Sequence, residues 1–528
     1  MQLRATIKLM IEGLSQSAYV EVPDTPEKPM DECGVIGIWA PGKELMQMSY
    51  HALLELQHRG QSGAGVLIYR EEVGFVGHKG MGLVEQAIPE ALPKWEADKS
   101  TWDIYEGKEV PSSVALGHVR YSTSGDVDAN HPIQGHISKI ALAMNGHVEA
   151  LATAKELLGV DIVNQKSDTD GLTQVIDGLT QEFGNINDAL GFALPELDGG
   201  YCLVVSDGKQ LVGVRDPWGF HPLSLGELPD GGFMLASEPG AFDAVDATFM
   251  RDIEPGEIVA INNDGITSTR IERTEPRSTC GFEFIYTARP DSVIDDVSVY
   301  RARKNMGRYL ARDKPVDADV VVGVPLSGLA AAAGYAQESG LPMVEGLFKN
   351  AYVPRTFLER GGNGGKRDGF LRRKLRPNKD EIEGQRLVVV DDSVIKGNTM
   401  KGLVKLLRDA GATEVHVRSA AARYMFPCYM GMDTGTVADL IARGRTEDEI
   451  AKYLGADSVA YNDVDRIGQS IEEAVQTRTK TSLKAAEICI SCTTGRYPFP
   501  ALEIIRPVMI GLSTIHQRPV GASGTLVD

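Results

Sequence analysis

Between residues 33 and 265 the chain is written in short apolar runs, CGVIGIW, GAGVLIY, ALGHVRYST, IALAMNG, GGYCLVVSD, QLVGVRDP, FMLASE and EIVAINNDG, set apart by glycine-rich turns. Runs of this length between regular turns predict a mostly antiparallel sandwich. Two stretches break the rhythm, MQMSYHALLELQHRG and DTDGLTQVIDGLTQEFG. In the second, Leu172, Val175, Ile176 and Leu179 recur at i, i+3, i+4 and i+7, which predicts a helix with one buried face. From about 298 to 423 the pattern changes: VDADVVVGVP, AAAAGYAQESG, LPMVEGLF, GQRLVVVDD, TMKGLVKLLRDAGA and EVHVRSAAA read as strand, helix, strand, strand, helix, strand. Strands apolar throughout are buried on both faces, as in a parallel doubly wound sheet. The region from about 424 to 528 holds one further predicted helix, the tight CISC, and a Gly/Pro-spaced tail. Residues 1–32 end in VPDTPEKPMDE, which is poor in core formers and predicts a mobile extension.

Composition narrows the partners. The 528 residues carry 54 Lys+Arg against 73 Asp+Glu, a net charge of -19 that disfavours nucleic-acid binding. The longest uncharged stretch, 320–337, contains Pro325 and is rich in Gly and Ala, so it does not predict a membrane span. Lys8, Glu12 and Ser15 interrupt the N-terminus where a secretory signal would be apolar. The expectation is a soluble cytoplasmic protein, in which six cysteines serve as nucleophile, ligand or core rather than as disulfides.

The stretch RLVVVDDSVIKGNTMKGLVKLL, residues 386–407, carries the clearest chemistry. A buried strand ends in Asp391 and Asp392, a loop follows with Ser393, Lys396, Gly397, Asn398 and Thr399, and then comes a helix marked by Leu403, Leu406 and Leu407. Loop N–H groups and the positive helix end suit a phosphate, Gly397 permits close approach, and the two carboxylates can accept from a sugar's vicinal hydroxyls.

This stretch resembles the phosphoribosyl-pyrophosphate motif of the type I phosphoribosyltransferases. The resemblance implies that Asp391 and Asp392 hold the ribose hydroxyls and 396–399 the 5-phosphate, with Mg²⁺ bound mainly through pyrophosphate and ribose oxygens. GVPLSGLAAAAGYA is similar to the pyrophosphate loop, with Ser327 and Gly328 at its turn. GLFKNAYVPRTFL and RRKL resemble the mobile basic loop over the substrate, with Lys349, Arg355, Arg372, Arg373 and Lys374. Basic residues there suit a leaving group that gains negative charge.

In the N-terminal half, CGVIGI, ELQHRGQSGAG, GHVRYSTSG, NGH and SDTD occur in an order and at separations resembling those of class II, N-terminal-nucleophile glutamine amidotransferase domains. Joined to a phosphoribosyltransferase, they resemble the amidophosphoribosyltransferase family over 33 to about 498. The resemblance implies a two-domain α/β and α+β fold. An αββα glutaminase sandwich spans 33–265, and a doubly wound parallel sheet with a C-terminal cluster-binding segment spans 266–500. These are flanked by a propeptide or extension at 1–32 and a tail at 501–528.

The implied roles follow by motif. Cys33 attacks the glutamine amide, forming a thioester, with its own α-amine as base, which requires removal of everything before it, starting from Met1 or from Met30. Arg120 and Asp168 bind the carboxylate and amine of glutamine. Asn145 and the N–H of Gly146 form the oxyanion hole. Arg59 is a framework or gate residue, and Cys202 is core. Ammonia then passes through a closed channel to C1 of 5-phosphoribosyl 1-pyrophosphate, giving 5-phosphoribosylamine, glutamate and pyrophosphate.

CISC by itself is compatible with zinc, a redox pair or chance. One branch of the family, the one that also has a propeptide, carries a structural [4Fe–4S] cluster, and Cys280, Cys428, Cys489 and Cys492 match its ligands in context. Zn²⁺ held tetrahedrally by the same four thiolates is the alternative. The resemblance also implies a homotetramer and feedback by purine nucleotides. Several positions depart from the family pattern: Lys396 stands for arginine, Asn398 for threonine, Leu326 for an acid, His147 for asparagine, His221 for arginine and Ala351 for arginine. Alternative readings are a degenerate regulator that binds nucleotides or phosphoribosyl pyrophosphate, or an amidotransferase of specialised metabolism.

Overall fold

The computed structural model describes residues 33–71, 73–88, 112–120, 130–149, 167–271, 276–350, 374–432, 437–477 and 482–498. The extension 1–32, the tail 501–528, and Ala351, Arg355, Arg372 and Arg373 of the expected basic loop lie outside them.

The apolar runs of the first half form two antiparallel sheets. One orders Thr248–Asp252, Ser224–Glu227, Phe233–Ala236, Gly34–Trp39, Ser112–Arg120, Gly63–Arg70 and Gly74–Met81; the other orders Gly265–Arg270, Glu257–Asn262, Leu211–Arg215, Asp198–Ser206, Ala141–Glu149 and Ile133–Gln134. Side chains alternate across a strand, and Gly34–Trp39 uses both faces. Val35 and Trp39 join Leu116, Ala143, Val204 and Val259 between the sheets, while Ile36 and Ile38 pack outward with Leu53 of helix Leu45–Glu55. Burial on both faces explains why this strand reads as one unbroken apolar run. Helices Asp168–Phe183 and Ile186–Ala193 cover the second sheet, with Leu172, Val175, Ile176 and Leu179 buried as the helical spacing predicts. The layers run α, β, β, α.

The second half contains a five-stranded sheet, paired in parallel throughout, in the order Met343–Val344, Val320–Gly323, Arg386–Asp391, Glu414–Ser419 and Ser458–Tyr461. Two details differ from expectation. LPMVEGLF is not one strand: Met343–Val344 joins the sheet, whereas Leu347–Lys349 turns away to pair with Leu375–Pro377. The region after 424 holds helices Glu447–Leu454 and Val464–Glu472 and supplies the sheet's fifth strand, too short a run for its pattern to stand out. Among the described residues no helix is long and apolar enough to cross a membrane.

Candidate active sites and the cysteine cavity

Antiparallel register brings Cys33 and Arg120 to one end of the first sheet, because Gly34 pairs with Val119. The turn after helix Leu45–Glu55 crosses this end closely: a Cβ on Gly60 would sit 2.6 Å from the Arg120 nitrogen, so only glycine fits. The same turn delivers Arg59, whose Nε donates to the Cys33 carbonyl at 3.2 Å.

Asn145 and Gly146 lie on the facing sheet, opposite Cys202 and Tyr201. Gly146 has φ +125, and a Cβ there would fall 2.0 Å from the Gly200 carbonyl oxygen. Both polar atoms of the Asn145 amide are buried with no hydrogen-bond partner among the described residues. A buried polar group left unmet is costly. Asp168 opens the helix capped by Ser167; its Oδ1 accepts from the Thr169 N–H at 2.8 Å, and its Oδ2 lies 2.8 Å from His147 Nδ1. Burial raises the Asp168 pKa, but hydrogen bonding and charge from His147 outweigh it and hold the carboxyl below its usual value. Arg120 and Asp168 act with opposite sign on the buried His131. A cation and an anion thus bear on one buried imidazole, the opposite-charge pairing that a pocket for a free amino acid requires.

Arg59 does not face that pocket. Fully buried, it donates to Glu283 at 2.6 and 3.1 Å and to Glu238, which also accepts from the Arg289 N–H at 3.0 Å and Ser292 Oγ at 2.6 Å and lies 2.7 Å from His58 Nε2. The Cys33 carbonyl is therefore tied to a segment belonging to the other half. A second buried pair, Arg215 with Asp295 at 2.7 and 2.8 Å, fastens the same segment. Arg59 was legible as a framework or gate residue; its partners Glu238 and Glu283 were not singled out, because nothing in their local sequence points to an arginine.

At the carboxyl end of strand Arg386–Asp391, the Asp392 carboxylate accepts from Ser327 Oγ and, at 2.6 Å, from Ser393 Oγ. Gly328 makes the first contact feasible, since a Cβ there would meet the Val390 carbonyl oxygen at 2.5 Å. Gly397, at φ +81, precedes helix Asn398–Asp409, so the first turn of that helix, Thr399 included, starts at the loop. Lys396 is nearly buried and sets Nζ 3.7 Å from Asp439, an ion pair the sequence did not announce. Lys349 ends the Leu347–Lys349 strand of the short ribbon, exposed. Beneath the acids, Arg303 donates to the Phe284 and Ala288 carbonyls at 2.8 and 2.7 Å; burial pushes it down to about 10, with the Asp392 charge opposing.

Cys280, Cys428, Cys489 and Cys492 all line one cavity, with walls that include Phe220, Phe282, Tyr424 and Met430. Cys280 and Cys489 are cross-strand neighbours in a parallel ribbon. Burial raises both the Cys489 and Cys492 thiols, and the nearby Cys428 and Cys489 raise Cys492 further. Among the described residues no three His, Cys, Asp or Glu side chains group around a single-ion position.

The chain was compared with known proteins. A glutamine amidotransferase domain model matches residues 106–272 and a phosphoribosyl transferase domain model matches 300–423. The amidophosphoribosyltransferase of Mycobacterium tuberculosis is 39% identical, over 97% of this chain and 94% of the relative. The chain belongs to the amidophosphoribosyltransferase family. That of Bacillus subtilis is 37% identical over 89% of this chain and 94% of its own. The solved glutamine phosphoribosylpyrophosphate amidotransferase from B. subtilis, complexed with ADP and GMP, superposes with a TM-score of 0.75 at 37% identity, covering 88% of this chain and 97% of that one. The activity of this family member is glutamine-dependent amidophosphoribosyl transfer, the first step of purine nucleotide synthesis, with glutamine and phosphoribosyl pyrophosphate as substrates.

Proposed function

We propose that this amidophosphoribosyltransferase works from the two sites just described and belongs to the processed, cluster-bearing branch of its family. Cys33, once exposed as the first residue, attacks the glutamine side-chain amide while its α-amine takes the thiol proton. The oxyanion accepts from Asn145 Nδ2 and the Gly146 N–H, each donor supplying about 3 kcal/mol. The buried, unpartnered Asn145 amide is the observation that carries this reading. Arg120 and Asp168 hold the α-carboxylate and α-ammonium. Ammonia passes between the halves without meeting water, where protonation would quench it. Its lone pair forms the bond to C1 as the bond to pyrophosphate breaks; Asp391 and Asp392 fix the ribose hydroxyls, and the Lys396–Thr399 loop, with Gly397 and Asn398, holds the 5-phosphate. Within that loop the Lys396 ammonium lies 3.7 Å from Asp439. Ser327, Gly328 and Lys349 border the pyrophosphate. Mg²⁺, bound through substrate oxygens, would neutralise charge on the leaving group.

Cys280, Cys428, Cys489 and Cys492 would hold a [4Fe–4S] cluster of structural role. Four cysteines lining one apolar-walled cavity supply the thiolate set that such a cluster takes, and Zn²⁺ on the same four is the alternative. A homotetramer in the cytoplasm, restrained by purine nucleotides as the ADP- and GMP-bound relative suggests, completes the reading.

The test is N-terminal sequencing with native mass on anaerobically purified protein. A chain beginning at Cys33 and carrying four irons and four sulfides is expected. A chain beginning at Met1 or Met30 that hydrolyses glutamine would remove Cys33 from its role, and a bound zinc mass would replace the cluster.

A further inference from the structure

We propose that His147 is a positioning and specificity residue of the glutamine site: its imidazolium competes with the α-ammonium of the amino acid for Asp168, so that affinity rises with pH. This rests on the reading of Asp168 as the ammonium's partner. His147 occupies a position where the family motif carries asparagine, a side chain that can hydrogen-bond a carboxylate but never bears charge. Its Nδ1 lies 2.8 Å from Asp168 Oδ2, with the two side chains 41% and 23% exposed, so the pair is within reach of a small ligand. The Val148 N–H reaches the same oxygen at 3.3 Å and the Thr169 N–H reaches the other at 2.8 Å, which fixes the carboxylate in place.

Among the described residues, His131 bears on Asp168 electrostatically, Arg120 and Lys79 bear on His131 and on the neighbouring His118, and Asp170 follows on the helix itself. His131 and His118 pack with ring centroids 4.3 Å apart; burial pushes His131 down to about 3 and His118 well below the usual imidazole value, so both stay neutral. His147 is the half-exposed imidazole whose Nδ1 meets Asp168 Oδ2, and imidazole is the side chain suited to a charge change in the physiological range. Protonated, it neutralises Asp168 and the incoming ammonium must displace it. Neutral, it leaves the full carboxylate charge to the ligand. Affinity is therefore weakest on the acid side.

The probe is L-glutamate, which presents the same α-ammonium and α-carboxylate as glutamine and does not acylate Cys33. Its dissociation constant is measured calorimetrically on the holoenzyme from about pH 6 to about pH 8. A fall of about fivefold is expected for the unaltered enzyme, the size of an exposed ion pair, and a flat profile for both H147N and H147Q. Ammonia-dependent synthesis in the same preparations reports that each variant is folded. The full pH slope persisting in both variants would overturn the proposal. D168N separates the two layers: unchanged glutamate affinity at about pH 8 in that variant would sink the Asp168 assignment itself, whatever the His147 variants show.

Discussion

The two catalytic ends of this molecule are built in opposite ways. The phosphoribosyl end comes largely from one continuous run, where strand Arg386–Asp391, its two acids, the loop and helix Asn398–Asp409 follow one another without interruption. The proposed glutaminase end is assembled from Cys33, just before strand Gly34–Trp39, and from residues 120, 145, 146 and 168 on three further elements, and Cys33 is braced by Arg59 against Glu283 of the other half. A contiguous site can be disabled without disturbing its neighbour. An assembled site inherits the stability of every contact that brings its parts together.

The strongest test of that contrast is D392N. The carboxylate accepts from Ser327 and Ser393, so an amide there turns an acceptor into a donor facing a hydroxyl and weakens both its setting and its grip on a ribose hydroxyl. Phosphoribosyl transfer should fall about 10³-fold, as expected for losing two charge-assisted hydrogen bonds, while basal glutamine hydrolysis continues. Steady-state rates for both half-reactions decide it. Equal loss of the two would mean that the sites are not separable.

The reverse experiment is R59M. Removing the guanidinium leaves Glu238 and Glu283 buried without their shared cation, and breaking a buried pair costs about 3–5 kcal/mol. Thermal unfolding should register that cost. At low temperature, where the chain stays folded, glutamine-dependent activity should drop far more than ammonia-dependent synthesis. A uniform loss of both activities would show that the brace serves the whole fold and not the assembled site.

The same contrast governs what could be read in advance. The phosphoribosyl acids, the loop and their order were legible because strand, turn and helix signals are local, and 386–407 displays all three in sequence. The sandwich was legible as a class from its alternating runs. The brace was not, because neither Glu238 nor Glu283 betrays in its neighbours that each meets an arginine 179 or 224 positions away. The neighbour of Lys396 was hidden for a related reason: its ammonium lies 3.7 Å from Asp439, 43 positions on, and nothing local to the loop announces that return of the chain. The four cysteines are intermediate. Their shared cavity is non-local, and composition alone left each of them an ordinary buried thiol.

A smaller effect should appear in acid. Burial alone would raise the Glu238 pKa, but the charges of His58 and Arg59 and the hydrogen bonds from His58 and Ser292 hold it well below the carboxylate range. A depressed folded-state pKa means that the stabilisation is present above the unfolded glutamate value near ~4.3 and is lost as pH falls below it. Urea unfolding of the wild type should steepen below about pH 4 by up to ~1.4 kcal/mol per unit from this group, and E238Q should lack that component. Asp252 works the other way. Raised to about 6 by burial and by the neighbouring Asp295, it costs stability as pH climbs from the unfolded aspartate value through about 6. The two sides of the inter-domain segment therefore titrate in opposite senses.

The mildest change probes how self-contained the phosphoribosyl end is. Tyr453, on helix Glu447–Leu454, donates its hydroxyl to Asn398 Oδ1 at 2.9 Å, and Lys401 stands 4.3 Å from the centre of its ring. Asn398 is the first residue of the phosphate-loop helix and replaces the family's usual threonine, so this contact ties the loop to a helix outside the 386–407 run. Y453F removes one partly exposed hydrogen bond and keeps the ring beneath Lys401, a change worth about 1 kcal/mol or less. The KM for phosphoribosyl pyrophosphate should rise no more than about fivefold, with glutaminase untouched. A larger rise would mean that even the contiguous site leans on a distant element, and the distinction between the two ends would become one of degree.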